Sequence, residues 1–429
     1  MPFNIPSSPH PRIVIIGGGF AGMELAKRLR NQPFQVVLFD RHNYHTFQPL
    51  LYQVATGGLR VDSIAFPLRK VFQKMQNVSF RMEEITNIDP SKKWVETPHG
   101  RLDYDYLVIA TGSQSNYFNF APVQDQLMGL KNPQDALRLR AYVLQNFERA
   151  VSIADAGEQS ELMNVAIVGG GPTGVELAGA LAEMKRFVFP KDYPGLDVSR
   201  MRISLYEASP KLLAVMSEAA SEHALQYLKE FGVEIHLNTL VAAYDGSILT
   251  TKDGATLRTD TVIWTAGVKG DFPSGFDATA IVPGNRLKVD AFNRVAGFEN
   301  VFALGDAAAI IDEAHPKGHP MLATVAIQQA KHLANNLFRQ LKNQPLEPFQ
   351  YDDKGSMATI GRNRAVVDLP HWKFQGMFAW YVWIFVHIFS LVGFRNKVAA
   401  LWDWAYNFFT YDRSVRLIIT PFERPSKGS

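Results

Sequence analysis

Two stretches of similar sequence decide the fold. The first runs Arg12-Ile-Val-Ile-Ile-Gly-Gly-Gly-Phe-Ala-Gly22, and the second runs Asn164-Val-Ala-Ile-Val-Gly-Gly-Gly-Pro-Thr-Gly174. In each, a short β-branched run leads into a glycine-rich turn and then into an alanine- and leucine-rich helical pattern. This order of strand, turn and helix lets the backbone approach a pyrophosphate at the start of a helix. Two such units in one chain predict two dinucleotides and favour a redox enzyme.

Each unit also has an acidic residue at the end of its second predicted strand. Asp40 lies 18 residues after Gly22, close to the spacing at which an acid reaches ribose hydroxyls, and Glu207 is its counterpart in the second unit. An acid there pairs with both ribose hydroxyls of NADH and repels the additional phosphate of NADPH. The alternative is a solvated acid at a strand end. We favour the ribose role for both residues.

Two further segments place small or acidic residues where strands are predicted to end. A buried run ends in Ala110-Thr-Gly112, where small residues would let the backbone pass close to a cofactor. The run 300–306 delivers Asp306 to a helix start, where it could bind a ribityl chain or a phosphate. Simple helix capping is the alternative. The whole pattern predicts an α/β fold with two Rossmann-like dinucleotide-binding domains.

Composition narrows the chemistry. The 429 residues include no cysteine, so disulfides, thiolate metal sites and Cys-x-x-Cys redox centres are excluded, and we expect no metal. The net charge of +3, without a basic run interleaved with aromatic residues, argues against binding of nucleic acid. Residues 1–11 are rich in proline and serine and have no apolar core, so we expect no secretory signal.

The C-terminal region differs in composition from the rest of the chain. Residues 375–394 contain no Asp, Glu, Lys or Arg, and residues 398–411 place apolar side chains on one helical stripe with Asp403, Asn407 and Thr410 on the other side. Aromatic-rich amphipathic helices flanked by basic residues suit a membrane interface. We therefore predict a membrane-associating helical region. The alternatives are a membrane-spanning helix and a helix pair in a core or dimer interface.

Together these motifs resemble the type II NADH dehydrogenases, which are single-subunit NADH:quinone oxidoreductases of respiratory membranes. The resemblance runs from Arg12 to near Ile419, and its most specific segments are 45–57, 169–176, 302–306 and 323–328. It implies the fold of flavoproteins with two dinucleotide-binding domains. The implied parts are a discontinuous FAD-binding domain (1–115 and 286–345), an NADH-binding domain (116–285) and a membrane-anchoring region (346–429).

The resemblance also implies which residues hold the two nucleotides. The ADP half of FAD would lie against Gly17, Gly18, Gly19, Phe20, Ala21, Gly22 and Asp40. The adenine would contact the backbone of Ile85, which we place in the strand before Asp89. The rest of FAD would be bracketed by Thr111, Gly112, Asp306 and Ala323. NADH would bind at Gly169, Gly171, Gly174 and Glu207.

On the same basis, Glu176 resembles a family glutamate near the flavin that is credited with proton handling. An enclosed setting could raise the pKa of its carboxyl toward neutrality. The alternative is an ordinary first-turn acid favoured by the helix dipole. The quinone site is implied at Thr324, Ile327, Gln328 and Lys397. Thr324 stands where the family usually has glutamine, so one amide donor is missing there.

These implications combine into one expected function. The protein would be a non-proton-pumping, FAD-dependent NADH:quinone oxidoreductase that passes hydride from NADH to FAD and two electrons to menaquinone or ubiquinone. We also expect a homodimer, bound peripherally at the cytoplasmic face of the cell membrane. The alternatives are a soluble NADH:ferredoxin or rubredoxin reductase and a redox-sensing protein that binds FAD and NADH. A sulfide:quinone oxidoreductase has the same general architecture but needs cysteines, which this chain lacks.

Overall fold

The computed structural model describes residues 3–410, 412, 413, 415–419 and 421, with the side chains of residues 119, 121 and 122 left out. Its helices are α1 (Phe20–Arg28), α2 (Leu51–Ala55), α3 (Val61–Ile64), α4 (Leu68–Phe72), α5 (Pro133–Val151), α6 (Ala156–Met163), α7 (Pro172–Glu183), α8 (Phe189–Asp192), α9 (Glu218–Glu230), α10 (Ala323–Leu341), α11 (Met377–Ser390) and α12 (Phe394–Thr410). Tyr411, the last residue of the second predicted tail helix, lies outside the described residues.

The strands are short, as is usual where helices alternate with a sheet. They are β1 (Arg12–Ile16), β2 (Gln35–Asp40), β3 (Tyr44–Thr46), β4 (Ala65–Pro67), β5 (Val78–Met82), β6 (Asn87–Asp89), β7 (Trp94–Thr97), β8 (Gly100–Asp103), β9 (Tyr106–Ile109), β10 (Ser113–Ser115), β11 (Val165–Val168), β12 (Ile203–Tyr206), β13 (Glu234–His236), β14 (Val241–Tyr244), β15 (Ile248–Thr251), β16 (Thr256–Arg258), β17 (Thr261–Trp264), β18 (Val268–Gly270), β19 (Ile281–Val282), β20 (Arg286–Val289), β21 (Val301–Ala303), β22 (Ala308–Ile310), β23 (Ser356–Thr359), β24 (Ala365–Asp368) and β25 (Lys373–Gly376).

The chain divides into two compact units, each with its own parallel sheet. The first comprises residues 1–45, 66–114 and 268–353, and its sheet has the strand order β21–β9–β1–β2–β5. Neighbouring strands of this sheet run parallel throughout. Its central strand is fully buried at Ile13, Val14 and Ile15. A β-branched run without alternation is what a parallel sheet covered on both faces requires.

The second unit repeats this arrangement. It comprises residues 46–65, 115–267 and 354–429, and its parallel sheet has the order β13–β12–β11–β17. Two antiparallel three-stranded sheets accompany it, β14–β15–β16 and β23–β24–β25. In each unit the glycine-rich turn follows the central strand, so the start of the next helix lies at the carboxyl end of that sheet.

The predicted fold class is confirmed, because both sequence repeats form the strand, turn and helix expected of them. One local prediction is wrong. Ile85 lies in the irregular connection between β5 and β6 and not in a strand, although its side chain is buried. The strand β5 ends at Met82, three residues before Ile85. The assignment of chain segments to an FAD domain, an NADH domain and an anchor stays a prediction.

Candidate active site

The first glycine-rich turn is shaped by close backbone contacts. Gly17 has a φ of +102°, which side chains disfavour, and a Cβ atom on Gly22 would lie 1.9 Å from the carbonyl oxygen of Gly17. At Gly19, by contrast, a Cβ atom would meet nothing within 4 Å. The turn is therefore closed toward β1 and α1 and open on its outer side. That open side is where a phosphate would reach the backbone amides.

Two side chains hold this turn in place. The carboxylate of Asp40 accepts hydrogen bonds from the amides of Gly18, at 2.6 Å, and His42, at 2.7 Å. The buried ring of His45 contacts the carbonyl oxygen of Gly18 through Nδ1 at 3.2 Å, and the edge of Phe20 packs on it. Burial lowers the pKa of His45 to about 4, so the ring is neutral at pH 7. Its buried Nε2 has no hydrogen-bond partner and offers an acceptor to a hydroxyl group.

The second glycine-rich turn has the same construction. A Cβ atom on Gly174 would lie 1.9 Å from the carbonyl oxygen of Gly169, whereas Gly171 is open. The carboxylate of Glu207 accepts hydrogen bonds from the amides of Gly170, at 2.6 Å, and Ser209, at 2.7 Å. An ionised carboxylate can accept about four hydrogen bonds, so both acids keep acceptor capacity for ribose hydroxyls.

The small-residue turn after β9 also presents open backbone. Gly112 has a φ of +79°, and a Cβ atom there would meet no heavy atom within 4 Å. Thr111, the residue before Gly112, is held in place because its hydroxyl donates to the carbonyl oxygen of Asp271. Ala21 is buried under the first turn. These features fit a group that approaches the backbone closely.

Ser113 binds Asp306, and Gln329 binds the residue before it; the sequence analysis did not identify Gln329. The carboxylate of Asp306 accepts a hydrogen bond from the hydroxyl of Ser113. The amide of Gly305 donates to the side chain of Gln329 at 2.6 Å, and Gln329 is almost fully buried in α10. The feature of the sequence that could have identified Gln329 is that this polar residue lies among the apolar residues that α10 buries. Asp306 lies in a short 3₁₀ turn, so the alternative of capping an α-helix is wrong.

The residues predicted for the quinone site have partners of their own. Thr324 Oγ1 lies 3.0 Å from the hydroxyl of Tyr351. Gln328 donates to the carbonyl oxygen of Asp352 at 2.8 Å and accepts from its amide at 3.0 Å. Ile327 is half-buried on α10, and Ala323 is the first residue of that helix. The side chains of Thr324 and Gln328 thus bind the segment 351–352.

Lys397 belongs to the second unit and has a structural role there. Its ammonium donates to the carbonyl oxygen of Phe389 at 2.9 Å, close to the end of α11. It also lies over the ring of the same residue. A cation at the last carbonyls of a helix satisfies groups that have no partner within the helix. Its predicted place in the quinone site stays a prediction.

Glu176 is enclosed in the second unit. It is the fifth residue of α7, so it is not a first-turn acid, and that alternative is wrong. Only 7% of the residue is exposed, and Oε1 accepts from the amide of Thr359 at 3.4 Å. Burial raises the pKa of Glu176 to about 8, although the Thr359 amide and the indole of Trp383 oppose the rise. The carboxyl therefore carries a proton at pH 7.

A cavity lies beside Glu176, within the same unit. Three residues close to Glu176, namely Tyr52, Thr359 and Trp383, also line this cavity. Its other walls include the aromatic residues Trp380, Trp404 and Phe408 and the charged residues Glu183 and Arg413. Aromatic and apolar walls combined with a set of placed polar groups are the usual character of a small-molecule site.

Polar groups of the cavity form an ordered network that sequence reasoning missed. The indole of Trp404 donates to Gln53 at 2.6 Å, and the amide of Gln53 donates to the hydroxyl of Tyr52 at 2.8 Å. An ion pair between Arg413 and Glu183, 2.6 Å long and mostly buried, completes the lining. Tyr52 and Gln53 lie in the segment 45–57 that carries part of the family resemblance, but Glu183, Trp404 and Arg413 are far from it in the sequence, so no signal there pointed to this network.

The two tail helices expose their apolar sides. The polar side of α12 faces the protein, where Asp403 accepts from Ser63 at 3.2 Å and Asn407 donates to the carbonyl oxygen of Gly58 at 2.7 Å. The aromatic residues of the opposite side are exposed, with Trp402 at 72%. We call the exposed set the aromatic face; it comprises Phe378, Tyr381, Phe385, Phe389, Phe394, Val398, Leu401, Trp402 and Phe409. In the part of the chain that the structure describes, every helix is too short or too polar to cross a membrane.

Comparison with known proteins identifies the family. A model described as pyridine nucleotide-disulphide oxidoreductase matches residues 11–330, and one described as the NDH2 C-terminal domain matches residues 354–411. The chain is 35% identical to the type II NADH:quinone oxidoreductase Ndh of Mycobacterium tuberculosis, over 95% of this chain and 90% of that protein. The chain belongs to the type II NADH:quinone oxidoreductase family. A relative from Haemophilus influenzae is 34% identical over 87% of this chain and 91% of its own length.

Solved structures of this family share the fold. The structure of NDH2 from Plasmodium falciparum in complex with NADH has a TM-score of 0.86 and 23% identity, covering 96% of this chain and 100% of that one. Family membership confirms the predicted activity, NADH:quinone oxidoreduction. It does not support the alternatives of a ferredoxin reductase or a redox sensor. Because the chain has no cysteine, a thiol pair does not relay its electrons.

Glu207 leads to a prediction about nucleotide choice. Replacing it with arginine should lower the ratio of kcat/KM for NADH to that for NADPH at least about tenfold, because arginine loses the ribose contact and pairs with the additional phosphate. Initial rates with each nucleotide give this ratio. Glu218→Arg makes the same charge change at an exposed position of the same unit and should leave the ratio unaltered. An unaltered ratio in Glu207→Arg itself would remove the ribose role.

Proposed function

We propose that the flavin of this NADH:quinone oxidoreductase is FAD, bound by the first unit. The supporting observation is the pair of equivalent turns, each closed by two glycines, open at a third, and bonded to an acid at the end of the second strand. When bound, the flavin supplies two-electron chemistry, taking hydride from NADH and reducing a quinone. The residues that would hold it are Gly17, Gly18, Gly19, Phe20, Ala21, Gly22, Asp40, Ile85, Thr111, Gly112, Asp306 and Ala323.

The second turn takes NADH in this proposal. The open side of the turn at Gly171 receives the pyrophosphate, while the close contacts at Gly169 and Gly174 shape the turn. Glu207 orients the adenine-side ribose. The protein thereby supplies orientation, which converts the meeting of two reactants into a first-order step.

Glu176 handles a proton for the quinone. Its carboxyl is protonated below a pKa of about 8 and lies beside Tyr52 and Trp383, which line the aromatic cavity. Reduction of a quinone to a quinol consumes two protons, and a buried acid that titrates near neutrality suits their transfer. The planar aromatic side chains of the cavity favour it as a place for a quinone ring. The quinone roles of Thr324, Ile327, Gln328 and Lys397 stay predictions.

The aromatic face lies on the membrane surface in this proposal. An interfacial helix presents its apolar side to lipid and its polar side to water or protein, which is the orientation of α12. In this proposal quinone reaches the protein from the bilayer surface, and its reduction is not coupled to proton pumping.

Purified protein tests the proposal directly. Acid-released flavin should comigrate with FAD at one per chain. Anaerobic NADH should bleach its visible absorbance, and a short-chain ubiquinone should restore it. Released FMN, or a colourless and folded preparation, would contradict the cofactor assignment. Bleaching that quinone does not reverse would place the electron acceptor elsewhere.

Replacing Glu176 with glutamine tests the proton role. Quinone turnover should fall about 10²-fold, the lower end of what general acid catalysis contributes, while bound flavin is retained. The rate of the parent protein should decline as pH rises through about 8, where Glu176 loses its proton, and the variant should lack this decline. Glu222→Gln, at an exposed position in the same unit, is the matched control. A parent-like pH profile in Glu176→Gln would contradict the assignment.

A further inference from the structure

A cluster of possible metal ligands lies outside the proposed active-site residues. It is in the first unit, in the loop between β22 and α10, whose sequence is Asp312-Glu-Ala-His315-Pro-Lys-Gly-His319. One ligand atom from each of Asp312, His315 and His319 lies within 4.8 Å of the other two. Nδ1 of His315 is 3.0 Å from the carboxylate of Asp312, and the two imidazole rings have their centroids 4.0 Å apart.

His319 is a polar group without a complete set of partners. The residue is only 4% exposed, and its Nδ1 is buried with no hydrogen-bond partner. Leaving a buried polar atom unpaired costs about 1–3 kcal/mol, so native proteins rarely do so. A cation bound between the three side chains would satisfy a ring nitrogen of this kind.

The backbone around the cluster is held rigidly. Arg286 donates to the carbonyl oxygens of His319 at 2.9 Å, Lys317 at 3.3 Å and Ala308 at 2.8 Å. Three bonds from one buried guanidinium tie the end of the loop to β22. Ligands that are already in place lose little conformational entropy when a cation binds.

Charged groups of both signs lie near the cluster. The positive charge of Arg286 opposes a cation, and the carboxylate of Asp312 offsets that charge.

We propose that Asp312, His315 and His319 bind a divalent transition-metal ion of the Zn²⁺ class. Two imidazoles and one carboxylate are a common ligand set for zinc and leave one position for water. His315 Nδ1 and the Asp312 carboxylate are already 3.0 Å apart, but the three ligand atoms together lie only within 4.8 Å of one another, against an edge of ~3.4 Å in a tetrahedral zinc site. Asp312 can close that gap, because about half of its side chain is exposed. The metal proposed here takes no part in the reaction. The expectation from the sequence that the chemistry uses no metal therefore stands beside this proposal.

The metal would stiffen a segment next to the predicted quinone residues. The ring of His319 packs against Phe349 and Tyr351, with centroids 5.5 and 5.8 Å away. The hydroxyl of Tyr351 in turn contacts Thr324 at 3.0 Å. A metal that fixes His319 would therefore also restrain the start of α10.

Metal binding to the tag-free, flavin-containing protein tests the proposal. After chelation and dialysis, one Zn²⁺ per chain should bind, as measured by elemental analysis. Co²⁺ in its place should give absorption bands between about 550 and 650 nm, beyond the flavin bands. His315→Ala and Asp312→Asn should each weaken Zn²⁺ binding at least about tenfold, since even outer-sphere partners of a metal contribute 10–100-fold.

Matched changes at exposed positions of the same unit provide the control. His10→Ala and Asp277→Asn remove the same side-chain types and should leave Zn²⁺ affinity unaltered. Both ligand variants alter exposed or half-buried positions, so they should keep their flavin, which reports folding. Parent-like affinity in His315→Ala and Asp312→Asn overturns the proposal, as does failure of the parent protein to bind Zn²⁺ or Co²⁺.

Discussion

Replacing Phe385, Phe389 and Trp402 together with serine should release the protein from phospholipid vesicles. These side chains are 61%, 64% and 72% exposed, so removing them costs the folded protein little. Each loses about 1 kcal/mol or more of apolar transfer into the interface, and together they should weaken binding at least about hundredfold. Cosedimentation with vesicles of phosphatidylethanolamine and phosphatidylglycerol measures the effect.

A matched control separates membrane binding from general loss of apolar surface. Val215→Ser with Leu240→Ser removes two exposed apolar side chains of the same unit outside the tail helices, and should leave vesicle binding intact. Deleting the tail is a poorer test, because Trp383 of α11 is fully buried and its removal would expose the core. Parent-like vesicle binding by the triple-serine variant would show that the aromatic face has another occupant.

Gly22→Ala should abolish flavin binding and cost the first unit several kcal/mol of folding free energy. The added Cβ would lie 1.9 Å from the carbonyl oxygen of Gly17, and both groups belong to backbone that β1 and α1 hold. Overpacking already costs about 1–3 kcal/mol where side chains can adjust, and more where they cannot. Chemical denaturation and flavin content measure the two effects.

Gly19→Ala separates folding from binding at the same turn. A Cβ at Gly19 meets nothing within 4 Å in the protein, so this variant should keep its stability. It should nonetheless lose flavin affinity, because the methyl group would occupy the open side that a pyrophosphate approaches. Gly195→Ala, also at an open position, should change neither property. Full flavin content in Gly22→Ala would contradict the proposed contact between turn and cofactor.

The elements that could be predicted from the sequence are those whose determinants are local. The strand β1 and the helix α1 form where the sequence predicts a strand and a helix, because a β-branched run, a glycine turn and an alanine-rich helix follow one another without interruption. The placement of Asp40 and Glu207 at strand ends followed for the same reason. Ile85 was misplaced, since the residues around it have no strong periodicity and their tertiary contacts decide where β5 ends.

Residues whose roles depend on distant partners could not be predicted. Gln329 supports the Gly305 amide across 24 positions, and Arg413 pairs with Glu183 across 230. Glu176 was singled out by its motif, but its pKa is raised by burial, which depends on elements distant in the sequence that pack around it. Pairs so far apart leave no pattern in a single sequence, because any of many residues could supply the partner.

The chain's own order of residues determined the two glycine-rich turns, their acids and the amphipathic tail, since each is set mainly by residues in the same segment of the sequence. Tertiary structure alone decided which side of α12 packs against the protein and where the aromatic cavity lies. It also decided that the carboxyl of Glu176 is desolvated. The physical reason is that desolvation and enclosure depend on everything packed around a group. Backbone turns depend only on the residues that form them.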